Sequence, residues 1–275
     1  MRFFTKNLSS PTTTTRVLDL LRDTLGSEAR IADVGAGRGH FSRALSERLR
    51  DMGLTPVDHL VPCDMCPEHF QVPELECLPV APDGCLPFAD ASMDAVVSIE
   101  VIEHVEDQFA FLRELARVTK PGGLVIVTTP NVLNLNSRVR NLVWGFPCLY
   151  DLLPLDDQDI RFMGGHIHPI SPYYLAYTAM RAELTDIRLC SDRTKHSAIG
   201  WAALLGLPIW LARRAHRIRI RRKRPHLLEQ NASLLPQVER FDLLTGRTAI
   251  LSARRPAPSG DTESGPNPTP IREQL

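Results

Sequence analysis

The stretch "IADVGAGRGHFSRAL", residues 31–45, decides the fold. An apolar run leads to Asp33, a glycine-rich turn follows, and an amphipathic segment, 40–53, begins directly after the turn. A short apolar run predicts a buried strand, and apolar residues at helical spacing predict a helix. A strand, a tight turn and a helix in this order predict the first unit of a parallel sheet, with a ligand bound against the turn.

The spacing of the glycines excludes two common nucleotide loops. A dinucleotide fingerprint needs glycine at position 40, where this chain has His40, and the Gly-Lys-Ser/Thr end of a P-loop is absent. What remains is an acid, Asp33, at the strand end before Gly35, Gly37 and Gly39. A carboxylate there repels phosphate but suits an ammonium group, such as that on the amino-acid end of S-adenosylmethionine (SAM).

Two further acidic residues are candidates for the same ligand. Asp64 ends the second predicted strand, 57–64, where a carboxylate can accept hydrogen bonds from both ribose hydroxyls. The alternative for Asp64 is an ordinary turn residue at a strand end. Asp83 precedes the third predicted strand and is either an acceptor for an adenine amino group or the Asp of an Asp-Gly turn.

Strand-like and helix-like segments alternate along the chain. Besides the first strand, the predicted strands are 57–64, 93–100, 124–131, 185–191 and 246–255, and the predicted helices are 11–26, 40–53, 107–123 and 171–184. This alternation predicts a parallel sheet with right-handed crossovers. The last strand lacks a crossover helix before it, so we expect it to pair antiparallel at the sheet edge.

Four stretches resemble successive motifs of class I SAM-dependent methyltransferases, and they look most like the branch that includes ubiquinone-type O-methyltransferases. These stretches are "IADVGAGRGHFSRAL", "CLPFADASMDAVVSIEVIEHVED", "FLRELARVTKPGGLVIVTTPN" and "GHIHPISPYYLAYTAMRAEL". The resemblance covers about residues 28–192, and 246–255 resembles the last strand of the family. It implies an α/β, doubly wound, mostly parallel seven-stranded sheet with one antiparallel edge strand. It also implies a single domain over 1–255, with SAM across the carboxyl ends of the strands.

Glu100, Glu103 and His104 follow the third strand, where the resemblance places the active site. If this turn is helical, their spacing puts all three on one face, where they could hold a divalent ion. The alternatives are that His104 acts as an acid or base, or that it lines the pocket as a structural residue. Glu100 is expected to border the cofactor. We predict no metal and take His104 as a catalytic candidate.

His166 and His168 alternate in an extended stretch just before the predicted helix 171–184, so we expect both to point the same way. The matching family segment runs over the acceptor side of the pocket, which makes both histidines catalytic candidates. The alternative is that one caps the helix and the other packs against the core.

The stretch 132–170 is expected to be a lid or an acceptor-binding insertion. Its large apolar side chains either hold an apolar acceptor or form a small core of their own. Its acidic residues are expected to lie in a solvated loop. The apolar residues are Trp144, Phe146, Leu149 and Tyr150, and the acidic ones are Asp156, Asp157 and Asp159.

Charge is unevenly distributed in a chain of 275 residues whose formal net charge is zero. Residues 213–224 hold eight Lys and Arg and no acid, directly after an apolar stretch, 199–212, that contains Pro208. That stretch is shorter than the roughly 18 residues of a spanning helix. Apolar residues with tryptophans followed by arginines are typical of an element that lies in a membrane interface. The alternatives are an amphipathic helix with a solvated basic end and a nucleic-acid contact.

We therefore predict that 197–240 is an insertion and that 199–224 contacts an anionic membrane surface. The N-terminus lacks a secretory apolar region and the six cysteines lack a regular disulfide spacing, so we expect a cytoplasmic protein, peripheral on the inner face of the membrane. The CxxC at Cys63 and Cys66 leaves a zinc site conceivable. Residues 256–275 are rich in Pro, Gly and Ser and are expected to form a disordered tail.

These features predict an enzyme that methylates a small or lipid-linked acceptor at oxygen with SAM as cofactor. The rate of such an in-line transfer depends on holding the acceptor and the methyl group in near-attack geometry. One alternative is a nucleic-acid methyltransferase that uses 213–224, although the Asn/Asp-Pro-Pro-Tyr/Phe motif is absent after the third strand. The other is a catalytically silent SAM-binding protein, which the intact cofactor motifs disfavour.

Overall fold

The central element of the computed structural model, which describes residues 10–153 and 165–257, is a sheet of seven strands in the order β3-β2-β1-β4-β5-β7-β6. The strands are β1 Ile31–Val34, β2 Leu60–Asp64, β3 Leu78–Pro79, β4 Met93–Ile99, β5 Thr119–Pro130, β6 Thr185–Ser191 and β7 Thr248–Arg254. β1 to β5 pair parallel, and β7 runs antiparallel between β5 and β6. The predicted fold class is confirmed, with the antiparallel strand one position in from the edge.

The helices pack on both faces of the sheet. They are α1 Pro11–Leu21, α2 His40–Asp51, α3 Pro56–His59, α4 Gln108–Val118, α5 Leu135–Trp144, α6 Pro172–Arg181, α7 His196–Lys223, α8 Pro225–Gln230, α9 Leu235–Val238 and α10 Phe241–Thr245. Apolar side chains of α1 and α2 form the core on one face, and those of α4 and α6 form the core on the other. Because helices cover both faces, β4 is buried over most of its length.

Residues Thr119–Gly123 depart from the predicted helix 107–123. The helix α4 ends at Val118, and β5 begins at Thr119. The amide of Gly122 donates to the carbonyl of Arg255, and the amide of Arg255 donates to the carbonyl of Gly123. The Lys-Pro-Gly-Gly stretch therefore continues into the sheet, because the end of β7 supplies backbone partners that the sequence pattern does not show.

Residues 192–247 connect β6 to β7 and include the long helix α7. This helix has 28 residues, Pro208 lies inside it, and Ala198 is its only buried residue. It contacts α5, α8 and α10. Because only Ala198 is buried, much of the surface of α7 faces outward. Across the described ranges, no helix combines the length and the apolar character needed to span a bilayer.

Candidate active site

The glycine loop between β1 and α2 leaves open space at its centre. Gly35, Gly37 and Gly39 all have positive φ, at 76°, 52° and 82°, which glycine adopts far more readily than other residues. A Cβ on Gly35 would overlap the side chain of Val101, and one on Gly39 would stand 2.6 Å from Val72. A Cβ on Gly37 would meet no atom within 4 Å, so a ligand can approach the backbone there.

Two carboxyl groups flank this open space. Asp33 is buried and accepts a hydrogen bond from the Ser42 hydroxyl at 2.5 Å. Burial, with the charge of Asp64 as a smaller cause, raises the pKa of Asp33 to about 7. Asp64 is half-buried and accepts from the amides of Gly37 and Cys66, both at 2.8 Å, which holds the glycine loop against the end of β2. A cationic ligand group would favour the charged form of Asp33, so this residue set fits an amino-acid ammonium.

Asp83 and Glu100, the other predicted cofactor residues, have local partners. The exposed Asp83 accepts from the Cys85 amide at 3.0 Å, as the turn alternative predicts. Glu100 has a φ of 54° and accepts from the Thr248 hydroxyl at 3.5 Å. Burial raises the pKa of Glu100, and Arg247 offsets part of the shift. Their contacts with a cofactor stay predictions.

The condition for a shared helical face of Glu100, Glu103 and His104 is not met. The turn is a 3-10 helix over Ile102–His104, and Glu100 lies outside it in left-handed backbone. Its side chain reaches the start of β7 instead. Glu103 and His104 are joined by His166, and one potential ligand atom from each lies within 4.8 Å of the others. This set could hold a divalent ion, and it could equally accept and hold a proton.

His104 and His166 meet edge to face, with ring centroids 4.8 Å apart, and the Tyr150 ring lies 5.2 Å from His166. His104 Nδ1 lies 2.8 Å from the Gly165 carbonyl and therefore donates to it, which leaves the Nε2 lone pair free. Burial lowers the pKa of His104. Burial and the nearby His104 lower that of His166 to about 4. Both rings are therefore neutral at neutral pH, and His104 can accept a proton.

His168 holds the backbone rather than extending this cluster. Its Nδ1 donates to the Val105 carbonyl at 2.7 Å, and its own carbonyl accepts from the Tyr150 hydroxyl at 3.1 Å. The amides of Ile167 and His168 both donate to the Glu103 carbonyl. The extended histidine stretch is thus tied to the 3-10 turn, which positions His166 beside His104. A catalytic role for any of the three histidines stays a prediction.

Glu103 is the residue whose burial the sequence did not reveal. Its side chain is fully buried, and the hydroxyl of Thr129, which is buried too, is the polar side chain that interacts with its carboxyl. Burial, with the charge of Glu100 as a smaller cause, raises the pKa of Glu103 to about 8. The carboxyl is therefore protonated at neutral pH, beside a neutral imidazole. The Glu-His pair is visible in the sequence, but its burial depends on the histidine stretch folding over it.

We expect Glu103→Gln to remove a pH dependence of stability. The folded-state pKa of Glu103 lies above its unfolded value, so the unfolded state loses the proton first and stability falls as pH rises from about 4.5 to about 8. The wild type should lose ~1.4 kcal/mol per pH unit in this window relative to the variant. Asp33 contributes a slope of the same sign in both proteins, so the difference isolates Glu103. Urea unfolding at pH 5 and pH 7.5 measures it, and parallel curves for the two proteins would contradict the buried neutral state.

The insertion predicted at 132–170 does not form a core of its own within its described part. Tyr150 is buried against His166, but the side chains of Trp144 and Leu149 are exposed. The acidic residues Asp156, Asp157 and Asp159 lie outside the described residues, as does the predicted tail from residue 258 onward.

The arrangement of the cysteines does not match the zinc site considered from the CxxC. All six lie in the described part of the chain, where Cys63, Cys77, Cys85, Cys148 and Cys190 form no disulfide. Cys63 is buried in the core, whereas Cys85 is exposed. Cys66 approaches Glu68 and His69 at ligand distance, but no second cysteine joins that group among the described residues.

Comparisons with known proteins agree with this geometry. A family described as "Methyltransferase domain" matches residues 32–127. A probable S-adenosylmethionine-dependent methyltransferase of Mycobacterium tuberculosis is 56% identical over 46 residues, 17% of either chain. The 2-methyl-6-phytyl-1,4-hydroquinone methyltransferase of Synechocystis is 30% identical over 48% of this chain and 41% of its own. The chain thus spans less than half the length of these relatives.

Solved structures match over most of the chain. A SAM-dependent methyltransferase from Archaeoglobus fulgidus aligns with a TM-score of 0.52 at 13% identity, covering 88% of this chain and 92% of its own. A likeness at this identity shows the fold.

A glycine loop at the carboxyl end of β1, an acid at the end of β2 and a sheet with β7 between β5 and β6 define a SAM-binding α/β domain. Residues 32–127 match a methyltransferase domain, the chain has the fold of a SAM-dependent methyltransferase, and SAM is the cofactor of that class. The matches do not single out the ubiquinone-type branch.

Proposed function

We propose that the chain methylates a hydroxyl oxygen of a small or lipid-linked acceptor at a membrane surface. The observation that carries this proposal is the cluster of Glu103, His104 and His166 past the end of β4, at the sheet edge that also bears the glycine loop. Bound SAM would supply an electrophilic methyl group there. The residues of the chain would bind and orient both reactants and accept the proton of the acceptor.

His104 is proposed as the general base. Its Nδ1 is fixed by the Gly165 carbonyl, so its Nε2 presents a lone pair in a set orientation. A neutral imidazole can take the proton that a hydroxyl must lose as its oxygen attacks a methyl group. The protonated carboxyl of Glu103 adds no charge that would raise the pKa of His104. His166 and Tyr150 are proposed to form the wall against which the acceptor lies.

The cofactor loop supports SAM binding, and the cluster of Glu103, His104 and His166 supports catalysis over silent SAM binding. Asp33, Asp64 and the open space at Gly37 occur together, as binding of a ribonucleoside that carries a free amino-acid group requires. The acceptor is proposed to be apolar, and the Synechocystis relative, whose name gives a phytyl hydroquinone, supports this. A nucleic-acid acceptor has only the basic run 213–224 in its favour.

Contact with a membrane is proposed for the outward face of α7. Leu204, Leu207, Trp210 and Leu211 are each more than half exposed, although large apolar side chains are usually buried. Eight basic residues follow them over 213–224. At the tip of α5, which contacts α7, Leu142 and Val143 are also exposed. An apolar face with an adjoining basic stretch suits insertion among anionic headgroups.

We expect Leu207→Gln together with Leu211→Gln to weaken vesicle binding. Both side chains are exposed in the protein, so folding should be unaffected. Each would be buried in the membrane on binding, so their loss should lower the partition coefficient about tenfold or more. Sedimentation with phosphatidylglycerol vesicles measures it. Met52→Gln with Val57→Gln, which removes exposed apolar groups elsewhere, is the matched control. Equal binding by the two double variants would contradict membrane contact through α7.

Transfer of a deuterated methyl group tests the chemistry. Purified protein is incubated with labelled SAM and with lipid and aqueous extracts, and products that gain the label are identified by mass spectrometry and fragmentation. The proposal predicts a labelled methyl ether in the lipid extract. A label found only on nitrogen, or only in nucleic acid, would overturn the proposed acceptor class.

A further inference from the structure

A groove with an apolar wall and an arginine rim runs between α7 and the α9–α10 region. Its cavity volume is about 590 Å³. Ile209 and Trp210 of α7 line it on one side, and Phe241 and Leu244 of α10 line it on the other. The apolar wall suits the hydrocarbon part of an anionic amphiphile, and the arginine rim suits its charged headgroup.

The charges around this groove are not balanced. Four arginines of α7 line it, whereas Glu239 is the single carboxylate in its described lining. The arginines are Arg213, Arg214, Arg217 and Arg221. Arg217 pairs with Glu239 at 2.6 Å, which leaves three guanidinium groups in excess.

Two of the unpaired arginines have specific contacts at the groove. Arg214 stacks over Trp210 at 5.9 Å from the ring centre, and Arg213 donates to the Glu239 carbonyl at 3.4 Å. Arg138 of α5 lies close enough to Arg213 that the charge of Arg213, after burial, lowers the pKa of Arg138. Gathering cations at close range is unfavourable without an anion. The excess charge therefore points to an anionic ligand.

We propose that this groove binds the phosphate headgroup of an anionic membrane phospholipid. The phosphate would lie among Arg213, Arg214, Arg217 and Arg221, and the chain next to the headgroup would lie against Trp210 and Phe241. Guanidinium groups bind phosphate oxygens through paired hydrogen bonds, which gives specificity beyond general attraction. The inference rests on the proposed membrane contact of α7 and adds a defined site to it.

Charge-matched variants of the same helix separate a headgroup site from a diffuse basic surface. Arg213→Gln with Arg217→Gln removes two groove charges, and Arg219→Gln with Arg222→Gln removes two charges that do not line the groove. On vesicles of phosphatidylcholine with phosphatidylglycerol, we expect the groove variant to lose about tenfold more affinity than its control, because paired contacts to phosphate exceed surface attraction. The single variants Arg221→Gln, in the groove, and Arg219→Gln, outside it, repeat this comparison of vesicle affinity at exposed positions.

The possible outcomes test three claims separately: membrane contact, a headgroup site in the groove, and a lipid as the source of the phosphate. No binding of the wild type to these vesicles would overturn the membrane contact itself. Binding with equal losses in both double variants would overturn the groove and leave the membrane contact standing. Inorganic pyrophosphate provides the remaining arm: if it binds the wild type without vesicles as tightly as vesicles do, the groove is a site for free phosphates and the lipid assignment is wrong. Glu239→Gln should tighten vesicle binding, since it removes the opposing charge.

Discussion

His104→Ala is expected to lower kcat by about two to three orders of magnitude, the range expected for loss of a general base. The Nε2 lone pair of His104 is the proposed proton acceptor, because Nδ1 is committed to the Gly165 carbonyl. SAM affinity should be unchanged, since Asp33, Asp64 and the glycine loop remain. Because burial lowers the pKa of His104, the rate of the wild type should rise with pH below 6.5 and be level above it.

A second substitution at position 104 distinguishes a general base from a residue that only positions the histidine stretch. His104→Asn keeps an N–H group that can donate to the Gly165 carbonyl but lacks a ring nitrogen that can accept a proton. If His104 is the base, kcat falls as far as in the alanine variant, and the ascending limb of the pH profile disappears in both. Recovery of kcat to within a few fold in His104→Asn would show that the residue only positions the histidine stretch.

Gly37→Ala is expected to weaken SAM binding at least about tenfold, because a misplaced or obstructed binding group readily costs the ~1.4 kcal/mol that equals one order of magnitude. The added methyl group would enter the open space at the centre of the glycine loop, where no protein atom lies within 4 Å. The effect should come from the lost space rather than from unfolding. Calorimetric titration with SAM measures it.

Gly53→Ala is the matched control for backbone strain. Gly53 also has a positive φ, 76°, and a Cβ there would likewise meet nothing within 4 Å. Both variants should lose about 1–2 kcal/mol of stability from left-handed backbone, but only Gly37→Ala should lose SAM. Equal SAM affinities in the two variants would place the cofactor somewhere other than this loop.

The cofactor half of the site could be predicted from the sequence because it depends on short-range pattern. The strand ending at Asp33, the glycine spacing and the strand ending at Asp64 lie in order, and parallel strands bring their carboxyl ends together. An antiparallel strand at 246–255 was also expected, but at the sheet edge, whereas β7 lies between β5 and β6 and follows four helices. These features follow from local periodicity and from the rules of sheet topology.

The cluster of Glu103, His104 and His166 could not be predicted in the same way. Left-handed backbone at Glu100 moves it out of the turn that holds Glu103, and no local pattern predicts that conformation for a glutamate. The burial of Glu103 depends on the amides of Ile167 and His168, which come from more than sixty residues downstream. The groove beside α7 likewise depends on α10 packing against it. In each case a long-range contact decides the outcome.

Release of S-adenosylhomocysteine from SAM tests the central claim most directly. Purified protein is supplied with SAM and with a membrane lipid extract, and the demethylated product is quantified by mass spectrometry. We predict release that requires the extract and falls to background with Gly37→Ala. If the wild type binds SAM but releases no more product than Gly37→Ala with any lipid or aqueous extract, the chain is not a methyltransferase and the account is wrong.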